Sequence, residues 1–271
     1  FDPQSGRIDL RNNNVKFIGD PKKRIEEDYL RIIRFLRFAI QYDSHTDETT
    51  IGALKLNLDG IKKISKERIL NELIKILELK NFENIIKHEN KKIIFSMIFP
   101  ELKFVDRLKK FTKIKLYFKI DIKSLLAILL IDENESHEYF FHKHKVPNDI
   151  KDNLNILSKN FKLLKKDNNF FNENLEKNIY LYGKKHLIDL LVLDFLSNIK
   201  NNLKNFSNTI SKVSNAKTHR FPLNGEYLIK NGLKEGLVIG KVLKILEKEW
   251  LENNFKISSK RITEIIKIHL S

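Results

Sequence analysis

The sequence predicts a mainly α-helical protein, and three observations carry the prediction. Glycine and proline are scarce, 9 and 5 in 271 residues, too few for the turns that an all-β chain needs every eight to twelve residues or so. Leu, Ile, Lys, Glu and Asn dominate the composition. Apolar residues recur at spacings of about three, four and seven, the period of one helix face.

Residues 1–19 read differently from the rest. Gly6 and the Asn12-Asn13-Asn14 run mark turns, and Val15-Lys16-Phe17-Ile18 alternates like a short strand. This stretch is expected to be the last piece of a β-containing domain. Gly19-Asp20-Pro21 then starts a helix, with Asp20 placed to cap free amides and Pro21 pre-set for the first turn. From Pro21 to about Gln41 one helix is predicted, its stripe made by Ile25, Tyr29, Ile32, Ile33, Leu36, Ala39 and Ile40. A second follows Thr46 through Ile51 and Leu54. A third, capped by Ser65, buries Ile69, Leu70, Leu73, Ile76 and Leu77. Together the three should make a compact unit ending near Leu79.

Further helical segments fill residues 83–205, separated by Phe99-Pro100, the 132–136 polar patch, Val146-Pro147 and the 167–169 cluster. A last unit opens at Phe221-Pro222-Leu223-Asn224-Gly225 and carries two helices, around Tyr227–Lys230 and Gly240–Leu251. The expected divisions are 1–19, 20–82, 83–205 and 206–271, without internal repeats.

Composition narrows the function. No cysteine is present, so disulfides and thiolate metal sites are excluded, and a reducing, cytoplasmic setting is expected. The apolar runs Leu125–Ile131 and Leu187–Leu193 fall short of the roughly 20 residues that span a bilayer, so no membrane partner is expected. A net charge of +16 and a pI near 9.7 suit a polyanionic partner, because clustered cations release counterions condensed on phosphates. A general bias toward Lys, Asn and Ile would give the same charge. The chain opens on Phe1-Asp2-Pro3 without a targeting segment and reads as part of a longer protein.

The first long helix holds the sharpest chemical feature. At about 100° per residue, Arg24, Glu27, Asp28, Arg31 and Arg34 fall on one arc opposite the apolar stripe, with Arg37 at its margin. One reading is a solvated face laced with ion pairs, each contributing about 0.2 to 0.5 kcal/mol. The other is a covered surface, since Phe35 and Phe38 share the polar arc. An Asp beside an Arg offers the acceptors and forked donors that a nucleobase edge requires, and further Arg residues can hold phosphates.

The motif order then becomes specific. Asp2-Pro3-Gln4-Ser5-Gly6-Arg7-Ile8-Asp9-Leu10, Gly19-Asp20-Pro21, Glu27-Asp28-Tyr29-Leu30-Arg31 with Arg34-Phe35-Leu36-Arg37-Phe38, and Ser65-Lys66-Glu67-Arg68-Ile69 with Glu72-Leu73 resemble the class II tRNA nucleotidyltransferases and bacterial poly(A) polymerases. Toward the end of the chain, Phe221-Pro222-Leu223-Asn224-Gly225-Glu226-Tyr227-Leu228 and Gly240-Lys241-Val242-Leu243 resemble the C-terminal part of bacterial CCA-adding enzymes. The resemblance implies a head remnant, a neck holding a base template, a helical body and a tRNA-gripping tail. By it, Asp28 and Arg31 read the base of incoming ATP or CTP, with Glu27 in the same motif, and Arg34 and Arg37 assist with the nucleotide. Asp2, Gly6 and Asp9 belong to a hinge motif, in which Ser5 stands where glycine is usual, and Glu67 and Arg68 buttress the template. Magnesium would sit on paired carboxylates in a catalytic head outside this stretch, so the chain alone is expected to be inactive and to hold neither catalytic nor metal-ligating residues. tRNA is the implied partner and DNA is not.

Rival readings are a poly(A) polymerase and a non-catalytic RNA-binding module. His137, His142 and His144 read as a polar loop end rather than a metal site, because a spacing of two does not suit one helix face. The basic runs Lys109–Lys115 and Lys159–Lys166 read as solvated helix faces that could track RNA. Trp250 and Phe255 read as core anchors.

Overall fold

Short polar side chains placed just before apolar stripes set where the helices begin. The computed structural model describes residues 2–80, 82–167, 169–198 and 202–270. Within them the chain is helical and carries no strand, so the predicted fold class holds. The helices are α1 (Gly6–Arg11), α2 (Pro21–Glu27), α3 (Leu30–Gln41), α4 (Glu48–Leu56), α5 (Lys66–Leu77), α6 (Glu89–Ile98), α7 (Leu108–Phe111), α8 (Ile122–Leu130), α9 (His137–Lys143) and α10 (Asn148–Leu164). They continue as α11 (Leu175–Tyr182), α12 (Lys184–Ser197), α13 (Leu203–Asn215), α14 (Gly225–Lys230), α15 (Leu237–Glu252) and α16 (Ser259–Ile268). Single 3-10 turns at Leu58–Lys63 and Phe82–Lys87 precede α5 and α6. Side chains of Asp20, Asp47, Ser65, Asp121, Asn224 and Ser258 accept backbone amides at the starts of α2, α4, α5, α8, α14 and α16, satisfying donors a helix end would otherwise leave free.

The chain divides into two compact units. The first comprises Phe1–Lys166 and Ile188–Ser207. Its centre is α3, whose Ile32, Ile33, Leu36 and Ala39 are essentially buried where α5 and α6 pack on it. Phe82, Phe95 and Phe99 extend this core as a chain of tilted rings 5.5 and 5.3 Å apart. The apolar run predicted at Leu125–Ile131 is buried throughout and forms α8 against α10. The second unit, Asp167–Leu187 and Asn208–Ser271, closes over Leu228, Leu233, Val242, Leu246, Ile262, Ile265 and Ile266. Trp250 anchors it as expected, 4% exposed and in ring contact with Tyr180, Phe221 and Phe255.

Four expectations change. The single helix predicted over Pro21–Gln41 is two, because Asp28 adopts an extended backbone at φ −156° and its carboxylate accepts the Leu30 amide at 3.1 Å, competing with helix continuation. The Val15–Ile18 stretch is not a strand. A strand needs a neighbour for its ladder, and here Phe17 stacks on Phe35 while the Val15 amide donates to Ser44 Oγ. The histidines are not a polar loop end: His137 and His144 are 2% exposed, and His144 bonds the fully buried Glu101 carboxylate at 2.5 Å. The last unit also holds a third helix, α16, with buried Ile262, Ile265 and Ile266.

Candidate nucleotide site

The break at Asp28 determines the site, because it turns the end of α2 back beside the start of α3. Arg24 from α2 donates to both carboxylate oxygens of Glu27, at 2.8 and 2.7 Å. Arg31 from α3 reaches the same carboxylate at 2.6 Å and the Arg24 carbonyl at 2.7 Å. The hydrogen bond from Arg31, followed by that from Arg24, holds the Glu27 carboxyl below its ordinary pKa. Arg34, one turn on, is exposed and has no hydrogen bond or ion pair among the described residues. These guanidiniums line a hollow of about 310 Å³ whose other walls are the 15–18 segment, Phe35 and Phe38. Phe17 and Phe35 are stacked, 5.1 Å apart and 11° from parallel. Phe35 is thus covered by the chain's own 15–18 segment. The aromatic walls, with Arg34 as the guanidinium that has no partner among the described residues, suit a flat ring carrying phosphate.

The structure does not join every expected partner. Asp28 pairs with Arg68 of α5, Oδ2 to Nη2 at 3.0 Å; Arg31 meets it only through the backbone, its amide donating to the Asp28 carbonyl at 3.0 Å. Arg68 thus supports Asp28 from a separate helix. Arg37 is taken up elsewhere: its Nε donates to Glu72 at 2.9 Å, its guanidinium lies 4.2 Å over Phe38, and its side chain is 15% exposed. Burial pushes Glu72 up, but hydrogen bonds from Lys75 and the charge of Arg37 outweigh it, and the net shift is downward. Glu67 pairs with Lys145 at 2.9 Å.

In the hinge motif, Asp2 accepts the Gly6 and Arg7 amides at 2.8 and 2.9 Å and so starts α1. Ser5 sits at φ 55°, ψ 32°, in the left-handed region. Asp9 bonds Lys16 and Asn14, tying α1 to the segment that ends in Phe17, and the Lys16 bond lowers its pKa. Sequence reasoning missed Phe17 as a wall of the site, reading it as a strand residue. Its signal was an aromatic next to a helix-start motif.

Residues 45–105 match a family described as "Probable RNA and SrmB- binding site of polymerase A". The chain is 25% identical over 267 residues to a CCA-adding enzyme of Lactobacillus helveticus, covering 92% of this chain and 63% of that protein. Over 80 residues it is 45% identical to the CCA tRNA nucleotidyltransferase 1, mitochondrial, of Mus musculus, which is 28% of this chain and 18% of that one. Over these stretches the chain is similar to CCA-adding enzymes and to a polymerase A family. The crystal structure of the Bacillus stearothermophilus CCA-adding enzyme in complex with CTP superposes with a TM-score of 0.67 at 16% identity, covering 99% of this chain and 68% of that one. At that identity the likeness shows the fold alone. The chain spans about two thirds or less of the relatives it matches.

Among the described residues, no three His, Asp or Glu side chains are grouped to hold a metal ion. No helix is long and apolar enough to cross a membrane.

Proposed function

We propose that this chain is the base-selecting and tRNA-binding part of a cytoplasmic tRNA nucleotidyltransferase that adds or repairs the 3′-terminal CCA by stepwise CMP and AMP transfer from CTP and ATP. The observation that carries the reading is the Phe17, Phe35 and Phe38 hollow faced by Arg24, Arg31 and Arg34, next to Asp28. Stacking would hold the base, the guanidiniums the phosphates, and Asp28 with Arg31 the hydrogen-bonding edge of the base. For that, Arg31 exchanges Glu27 for the nucleotide, and Asp28 keeps or releases Arg68. Glu27 and Arg68 thereby preorganise the two template groups before a nucleotide arrives. The bond-making step belongs to carboxylates of a catalytic head outside these residues, and the chain alone is inactive.

The test uses the protein with its head, magnesium, ATP, CTP and a tRNA transcript lacking CCA, with product ends read by sequencing. A defined CCA end, lost in Asp28→Ala and Arg31→Ala, supports the reading. Long A tails would assign a poly(A) polymerase, the second reading, favoured by the description of the family matched over residues 45–105. No extension by a folded enzyme leaves a non-catalytic RNA-binding module.

A further inference from the structure

A second polar hollow, of about 240 Å³, lies in the first unit where the loop after α3 meets the start of α6. The start of α6 is uncapped. His88 precedes it without a side-chain bond to the helix, and the first backbone bond comes from Lys92 to the His88 carbonyl. The amides of Glu89, Asn90 and Lys91 are therefore without partners among the described residues, at the positive end of a ten-residue helix. The Lys91 ammonium is 5% exposed at the same place, and it and His88 Nε2 meet Asp43 Oδ1 at 2.7 and 2.8 Å. The independent observation is Thr46. It is 6% exposed, it lines the hollow, and its hydroxyl has no hydrogen-bond partner among the described residues. A buried hydroxyl left unpaired costs stability that a ligand oxygen would restore.

Free amides, a hydroxyl, an ammonium and the imidazoles of His45 and His88 make a donor set, and donors around a helix start take an oxyanion. We propose that this hollow binds a phosphate group, either free or in a polynucleotide backbone. A tetrahedral anion presents oxygens to the amides, to Thr46 and to Lys91 at once, which a planar carboxylate does not. The opposing charges are Glu89, exposed at the rim where it can swing into solvent, and Asp43, whose carboxylate a bound anion would have to share Lys91 and His88 with. Asp43, already on Lys91 and His88, fixes those two groups in place. Only the polynucleotide source rests on the function proposed above.

The test is a titration of the isotopically labelled chain with inorganic phosphate against chloride at equal ionic strength, followed by backbone amide NMR. The amides of Thr46, Glu89, Asn90 and Lys91 should shift together and saturate. Thr46→Val should weaken binding about tenfold, the loss of one hydrogen bond to a charged group, without lowering the melting temperature in phosphate-free buffer. Glu89→Gln should tighten it about twofold by removing the rim anion. Absence of these shifts, or an unchanged affinity in Thr46→Val, overturns the proposal. A parallel titration with a mixed-sequence single-stranded oligoribonucleotide separates the sources. Shifts of the same amides at lower phosphate concentration assign the RNA backbone, and shifts with inorganic phosphate alone assign the free ion. The CCA-addition assay judges the enzymatic reading separately.

Discussion

At the scale of single residues, ion pairs set the resting state of the proposed template. Arg31 sits on Glu27 and Asp28 on Arg68, so removing the partner and removing the template group should differ. Glu27→Ala frees both Arg24 and Arg31; in the intact enzyme it should change nucleotide KM more than it changes stability, since both pairs are well exposed and contribute little to folding. Steady-state kinetics with ATP and CTP, beside a melting curve, check this, and a stability loss without a KM change would count against it. Ser5 makes a second residue-scale case. A left-handed backbone costs a non-glycine residue about 1 to 2 kcal/mol, of which the extra chain freedom of glycine returns about half on substitution. Ser5→Gly should therefore stabilise the turn before α1 by roughly 0.5 to 1 kcal/mol, seen as slower hydrogen exchange at Gly6 and Arg7. Faster exchange there would instead mean that Ser5 restrains the hinge.

Among the elements, the break between α2 and α3 depends on a close approach. Gly60, in the 3-10 turn before α5, lies under the Tyr29 ring, and a Cβ there would stand 1.9 Å from Tyr29 Cδ1. Gly60→Ala must push Tyr29 aside. The expected cost is about 1 to 3 kcal/mol, typical of overpacking, measured by urea unfolding. Because Tyr29 follows Asp28, weaker nucleotide binding should accompany it. An alanine variant of wild-type stability would show that the ring moves freely and that the turn does not hold the break.

The whole molecule carries a pH dependence in its buried carboxylates. Burial pushes Glu101 up, but hydrogen bonds from His144 and Lys143 outweigh it, and its pKa falls below the ordinary glutamate value. A depressed carboxyl contributes stability that is present above the unfolded pKa and is lost as pH falls through the folded one. Glu72 adds in the same direction. Unfolding free energy should thus decline once pH drops below about 4.3, the ordinary glutamate value, and Glu101→Gln should destabilise by about 1 to 3 kcal/mol at neutral pH, with a gap that narrows in acid. Urea unfolding at pH 7 and pH 3.5 measures both, and an equal gap at the two pH values would remove Glu101 from the account. The second unit has its own shifted titratable group, half-buried: desolvation, then the Glu247 hydrogen bond, pushes the Tyr180 phenol up to about 12.

Much of this was written in the chain. The helices, their buried stripes, the Asp20 and Ser65 caps and the Trp250 anchor follow from local spacing and from which side chains can satisfy a helix end, and both are properties of a few neighbouring residues. The candidate residues Glu27, Asp28, Arg31 and Arg68 were also legible, as an ordered motif. Tertiary structure decided what those residues touch. Whether Asp28 extends or continues a helix depends on Arg68, 40 positions away, and on the Tyr29 ring over Gly60. Whether Arg37 faces a ligand or Glu72 depends on how α3 meets α5, and whether His144 lies on a loop or in a core depends on Glu101. Local propensity fixes the period of a helix, but charge pairing across helices depends on distances that no stretch of sequence contains.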